Sequence, residues 1–197
     1  MTKIQVVFAL IATMIILTGC AGNRELIKTM STSIRQDVFQ EVAEKTSPEP
    51  GYVDLRIYSS LKTHRPGIYS KKDVHGTPNY MMFVNIDGQA IQLQGNLQNE
   101  NFEPREFRDP EAGNGIRYRF SKNLRLKAGT HKIIVAFPDD EIAIEREITL
   151  SDKSNNRLVV EPIYGAVAIR QRPAFYGVTS FKEGLKRLRL ILNGRDI

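Results

Sequence analysis

From Tyr52 onward, apolar and polar residues alternate with period two. Val53, Leu55 and Ile57 interleave with Asp54, Arg56 and Tyr58, the pattern of a half-buried strand. Tyr80–Ile86 predicts a second strand. Asp87-Gly88 follows as a two-residue hairpin turn, because both residue types tolerate positive φ, and Ala90, Ile91 and Leu93 lie on the return strand. Alternation resumes over Ile116–Phe120 and Leu124–Leu126. The most hydrophobic strand is Ile133–Phe137. Ile142, Ile144, Arg146 and Ile148 continue at period two, and Leu158–Ile163 forms another strand. In the last stretch Leu188, Leu190 and Leu192 alternate with Arg187, Arg189 and Ile191 between Gly184 and Gly194. A strand is therefore preferred there, with a helix over 181–192 as the alternative. Two segments lack such periodicity: the basic loop 63–78 and the stretch 95–115, rich in Asn, Glu, Pro and Gly, which is read as a long loop.

These short strands separated by turns predict a mainly β chain, an antiparallel immunoglobulin-like or transthyretin-like β-sandwich over 52–197. A different period precedes it. Leu26, Met30, Ile34, Val38 and Val42 recur every four residues and make one helical stripe, with Ile27 and Phe39 beside it. Residues 20–51 are thus expected to be a partly helical tether. The helix packs on its own domain in the leading reading; a partner-binding helix and a disordered stalk are the alternatives. Pro48, Pro50 and Gly51 end the segment.

The first 19 residues belong to neither pattern. Lys3 is followed by an apolar run, Val6–Leu17, broken only by Thr13. One positive charge and a run of this length fit an export signal, whereas crossing a bilayer takes about 20 apolar residues. The run closes on Leu17-Thr18-Gly19-Cys20, which resembles the bacterial lipobox. The resemblance implies cleavage before Cys20, diacylglyceryl modification of its thiol and at least two acyl chains on the mature residue, enough for stable anchoring. Ala21 is not an inner-membrane retention residue, so the resemblance also implies an outer-membrane lipoprotein facing the periplasm. An ordinary signal cleaved upstream and an uncleaved anchor are the other readings.

Composition narrows the chemistry. The chain is 41% hydrophobic and 25% charged, as globular domains are. Its net charge is +6, and Lys3 is the only charged residue lost with the signal, which leaves +5 on the mature side chains. Cys20 is the only cysteine, so no internal disulfide or cysteine zinc site is expected. His64, His75 and His131 lack metal-ligand spacing, so no metal or other cofactor is expected, and His131 is read onto the polar face of a strand. Ser59-x-x-Lys62 matches a nucleophile motif, but that chemistry needs a helix start and this motif ends a strand. Asp139, Asp140 and Glu141 read as a solvated turn. Asp109 and Glu111 would be a catalytic pair only above a cleft. Tyr52, Tyr58, Tyr69 and Tyr80 could contribute to a glycan platform, although the chain has no tryptophan.

The C-terminal quarter is basic through Arg170, Arg172, Lys182, Lys186, Arg187, Arg189 and Arg195. Lys186, Arg187 and Arg189 are the candidate face for an anionic ligand, against the alternative of a solvated strand face. Nucleic acid is not expected, since no aromatic residues interleave with the charges. One further resemblance concerns the fold. Leu126-x-x-Gly129-x-His131-x-Ile133-x-Val135 and Val84-Asn85-Ile86-Asp87-Gly88 look like the paired strand motifs of PEGA-type domains, small β-sandwich modules of bacterial envelope proteins. The expected function is a non-enzymatic envelope lipoprotein, held at the membrane through Cys20 and binding or scaffolding another envelope protein or polymer. An envelope hydrolase or its accessory subunit, and a peptidoglycan- or lipopolysaccharide-binding module, are the alternatives.

Overall fold

The computed structural model describes residues 22–30, 34–42, 47–66, 73–102, 111, 113–151, 156–165, 181 and 184–197. Eleven strands in this set form two sheets packed face to face: β1 Phe39–Glu41, β2 Tyr52–Thr63, β3 Met81–Ile86, β4 Gln89–Gln94, β5 Asn96–Phe102, β6 Gly113–Lys127, β7 Gly129–Phe137, β8 Ile142–Leu150, β9 Asn156–Gly165, β10 Gly184–Leu192 and β11 Arg195–Asp196. The larger sheet runs β1-β6-β2-β9-β10-β11, with β5 also paired to β6; the smaller runs β4-β3-β7-β8. The chain is a β-sandwich, and antiparallel pairing dominates it. β2 and β9, at Leu55↔Asn156 to Ser59↔Val160, are parallel.

The alternating positions do what their period requires. Val53, Leu55, Ile57 and Leu61 of β2 meet Met82, Val84 and Ile86 of β3 and Ile133, Val135 and Phe137 of β7 in one core. The hairpin turn also forms as expected, with Asp87 at φ 48° and Gly88 at φ 92°. Residues Gly184–Leu192 are a strand, the preferred of the two readings, and Leu188, Leu190 and Leu192 are its buried side.

Three features differ from the sequence pattern. The stretch 95–115 contains β5, paired with β6 from Asn96↔Arg119 to Phe102↔Gly113. Residues Asn96 to Asn99 are all exposed, so this edge strand carries no apolar period and is defined by its partner alone. Residues Ile116–Phe120 and Leu124–Leu126 are parts of a single long strand, β6, hydrogen-bonded along its length to β2. The four-residue stripe is not one helix: residues 22–30 are helical (α1), but Phe39–Glu41 is strand β1, paired with Leu124–Leu126 of β6, and Ile34 is 81% exposed. Gln89 fixes β1 from the other sheet. Its Oε1 accepts from the Val38 and Phe39 amides at 2.7 and 3.0 Å, and its Nε2 donates to the Phe39 carbonyl.

Helix α1 lies on the outer face of the smaller sheet. Met30 is 1% exposed and packs with Ile134 and Ala136, joined by Leu26, Ile27, Phe83 and Ala143. This second layer explains the unbroken apolar run Ile133–Phe137. The larger sheet covers one face of that strand and α1 covers the other, so neither set of alternating positions is left to solvent. Beyond Met30, Arg24 donates to both carboxylate oxygens of Glu141 at 2.9 Å.

Candidate functional site

One end of the sandwich gathers polar groups from three parts of the chain. β2 ends at Thr63, and His64 follows at once. Asp73 and His75 lie in the turn before β3, and Asp140 closes the 3-10 turn Pro138–Asp140 between β7 and β8. His64 Nε2 sits 2.5 Å from Asp73 Oδ2, and His75 Nδ1 sits 2.7 Å from Asp73 Oδ1. The His75 amide also donates to Asp73 Oδ1 at 3.1 Å, so the carboxylate shapes its own turn. On the far side His75 Nε2 lies 3.2 Å from Asp140 Oδ1, and Tyr80 donates its hydroxyl to Asp140 Oδ2 at 2.5 Å. The Tyr80 ring is fully buried, between Tyr118 and a stacked Phe137.

The local sequence permits this turn at one sensitive point. Gly76 has φ +76°, and a Cβ there would come within 2.4 Å of the Pro66 ring. Thr77 then donates its hydroxyl to the Val74 carbonyl, and Tyr118 donates to the Thr77 carbonyl at 2.7 Å. Burial opposes the charge on Asp73, but hydrogen bonds from His64 and His75 outweigh it and hold the carboxyl down at about 2. Burial also opposes a charge on His75; the carboxylates of Asp140 and Asp73 outweigh it and raise the imidazole. Tyr80 is pushed well above the ordinary phenol value by burial and by the adjacent Asp140, so it serves as a hydrogen-bond donor.

Sequence spacing did not reveal this cluster. It placed no histidine near a ligating partner and read residues 139–141 as a solvated turn. Asp140 instead turns inward to His75 and Tyr80, while Glu141 reaches α1. The one local signal was the pair Asp73-x-His75. His131 was also misplaced. It lies on the inward face of β7 and is buried, its Nδ1 at 2.7 Å from Asp87 and its Nε2 at 2.9 Å from the Lys127 carbonyl. Both polar partners sit at the sandwich rim, which satisfies the ring where an apolar residue would otherwise be expected.

A second polar group occupies the outer face of the larger sheet. The Lys62 side chain is fully buried, with Nζ 2.8 Å from the Glu111 carbonyl and 3.4 Å from Glu100. Arg117 bridges Glu100 and Glu111, at 2.8 and 2.6 Å. Tyr164 donates to Glu111 and accepts from the Lys62 amide at 2.7 Å. Glu111 is thus engaged by Arg117, Lys62 and Tyr164, and Asp109, named with it in the sequence, lies outside the described residues. Ser59 and Lys62 project from opposite faces of β2, as an interval of three on a strand dictates. Ser59, on the inner face, donates to the Val160 carbonyl of the neighbouring strand β9, away from the lysine.

The basic strand β10 carries Lys186, Arg187 and Arg189 on its exposed side. Arg189 is paired with Glu161 of β9. Lys186 and Arg187 are both outward because the β9–β10 register slips between Leu185 and Arg187. They border a groove of about 400 Å³ between β8 and β10, shared with Arg146 and Asp196. Arg170, Arg172 and Lys182 lie outside the described residues, as do Tyr69 and Cys20, which comes two positions before α1. Tyr52 and Tyr58 lie on β2, and Tyr80 and Tyr118 belong to the core, so the tyrosines do not share one surface. Among the described residues no helix is long and apolar enough to cross a membrane.

No family model, curated protein or solved structure matches this chain. The residues compared with PEGA-type motifs lie on β3 and its turn, at the end of β6 and on β7; of these strands β3 and β7 pair.

Proposed function

We propose that this protein is a lipid-anchored envelope protein whose β-sandwich is held close to the membrane as a non-enzymatic binding or scaffolding module. The observation that supports this reading most is the position of α1. It begins two residues after Cys20 and is docked along the sheet through Met30. An acyl group on Cys20 would therefore hold the domain itself at the bilayer surface, with no long free stalk between. Labelling cells with a clickable fatty acid tests the anchor. Wild-type protein should take up label, and Cys20→Ser should not, and should leave the membrane fraction while still folded. Label on the serine variant, or none on wild type, would refute the assignment.

A second reading is favoured by the basic groove. Arg146, Lys186 and Arg187 line one cleft and suit an anionic polymer such as lipopolysaccharide or peptidoglycan. Co-sedimentation with purified sacculi, or retention on lipopolysaccharide vesicles, should fall with Lys186→Glu/Arg187→Glu. Unchanged binding would remove this reading and leave the anchored scaffold standing.

A further inference from the structure

Three ligating side chains that the sequence separates converge beyond the end of β2. His64 Nε2, His75 Nδ1 or Nε2 and a carboxylate oxygen of Asp73 provide ligand atoms all within 4.8 Å of one another. Imidazole nitrogen and carboxylate oxygen are donors that zinc and its neighbours in the first transition row accept. A tetrahedral ion at ordinary bond lengths sets its ligands about 3.3 Å apart. The present separations from Asp73 are 2.5 and 2.7 Å, so each imidazole need retreat by less than about 1 Å to admit an ion.

Proton accounting supports a positive centre here. His75 has carboxylates on both ring nitrogens, Asp73 at Nδ1 and Asp140 at Nε2. A neutral imidazole carries one N–H and can satisfy only one of them. Either a second proton or a cation shared by Nδ1 and Asp73 must occupy the other contact. A cation shared by Nδ1 and Asp73 would also take His64 Nε2, which lies 2.5 Å from the other oxygen of the same carboxylate. The surroundings also fit. With Nε2–H donating to Asp140, the Nδ1 lone pair points at Asp73, and Tyr80 pins Asp140 from the core. A carboxylate behind a ligating imidazole fixes its tautomer and raises its basicity.

We propose that His64, Asp73 and His75 form a binding site for a divalent transition-metal cation. Asp140 and Tyr80 are positioning residues, and a water or an anionic group of a ligand completes the coordination. The site does not depend on the membrane anchor.

The full chain, purified in detergent and stripped with a chelator, is titrated with Zn²⁺ by calorimetry and with Co²⁺ by visible absorption. Cys20→Ser is titrated alongside to remove the only thiol. One equivalent should bind in both, with the d–d band of a low-coordinate cobalt centre. His64→Ala and His75→Ala should weaken binding at least 100-fold, Asp73→Asn at least tenfold and Asp140→Asn about tenfold, while His131→Gln should not change it. Asp73→Asn keeps the size of the carboxylate and one acceptor oxygen while removing its charge. It therefore carries the test if an alanine variant fails to fold by circular dichroism. Absence of saturable binding, binding that survives Asp73→Asn, or binding lost with Cys20→Ser would overturn the site. Stabilisation that follows pH but not added zinc would assign the positive centre to a proton and overturn it equally.

Discussion

Met30→Ala tests whether α1 belongs to the domain. The side chain is 1% exposed and is one of three buried residues in the cluster between helix and sheet. Burying a methionine contributes about 1.5–3 kcal/mol, and truncating one to alanine in a packed site costs about 2–5 kcal/mol. The other ties are weaker. Arg24 and Glu141 are 65% and 58% exposed, and such pairs contribute about 0–1 kcal/mol. A nine-residue helix is not stable alone in water, so α1 holds its shape only while docked. The Ile34 and Arg35 amides bond to the Gly88 carbonyl and anchor the chain just beyond the helix, which leaves Met30 as the main fastening of 22–30 itself. A loss of about 2–3 kcal/mol raises the undocked population about 30- to 150-fold. Amide hydrogen exchange reads this directly. Protection over 22–30 should drop by that factor in Met30→Ala, while β2, β6 and β7 exchange as before. Met30→Leu should retain most of the protection. Unprotected 22–30 amides in the wild type, or unchanged protection in the alanine variant, would refute the docking argument and with it the short link proposed between Cys20 and the domain.

Other perturbations separate the remaining features. At Glu100, burial opposes the charge, but the Arg117 hydrogen bond and charge outweigh it, with Lys62 adding to them, so the carboxyl titrates below its ordinary value of 4.5. Its stabilisation is therefore fully present above about pH 4.5 and is lost as pH falls through the lowered value. Glu100→Gln should lower Tm at neutral pH and flatten the acid limb between about pH 5 and 3; an unchanged acid limb would show that the pair is not coupled to folding. Arg117→Met should cost more, about 2–3 kcal/mol by urea unfolding, because it leaves two carboxylates facing each other beside a single buried lysine. Gly76→Ala combines a left-handed φ with a collision against Pro66 and should cost about 1–3 kcal/mol; an unaltered Tm would mean that the 73–80 turn relaxes freely.

The sequence alone determined the strands of the core, β2 to β4 and β6 to β10, and which side of each carries the buried apolar residues. Period-two alternation is a local property: Leu188, Leu190 and Leu192 turn one way whatever β10 pairs with. The Asp87-Gly88 turn was legible for the same reason, since positive φ is set residue by residue. The lipobox-like pattern Leu17-Thr18-Gly19-Cys20 is likewise a linear feature. Tertiary structure decided everything that depends on a partner. β5 exists because β6 offers it an edge, not through any apolar pattern of its own. Phe39 lies beside the four-residue stripe that holds Met30, yet one joins a sheet and the other docks a helix, because periodicity does not say where a chain must turn. His131 shares the inward face of Ile133 and Val135, and it is tolerated there because Asp87, 44 positions away, meets it at the rim. Asp140 reaches His75 across 65 positions, and that contact is made only when the β7–β8 turn folds over the start of β3. Alternation fixes the face a side chain occupies; the closing of two sheets fixes its neighbours, and the chemistry at the end of this sandwich depends on neighbours.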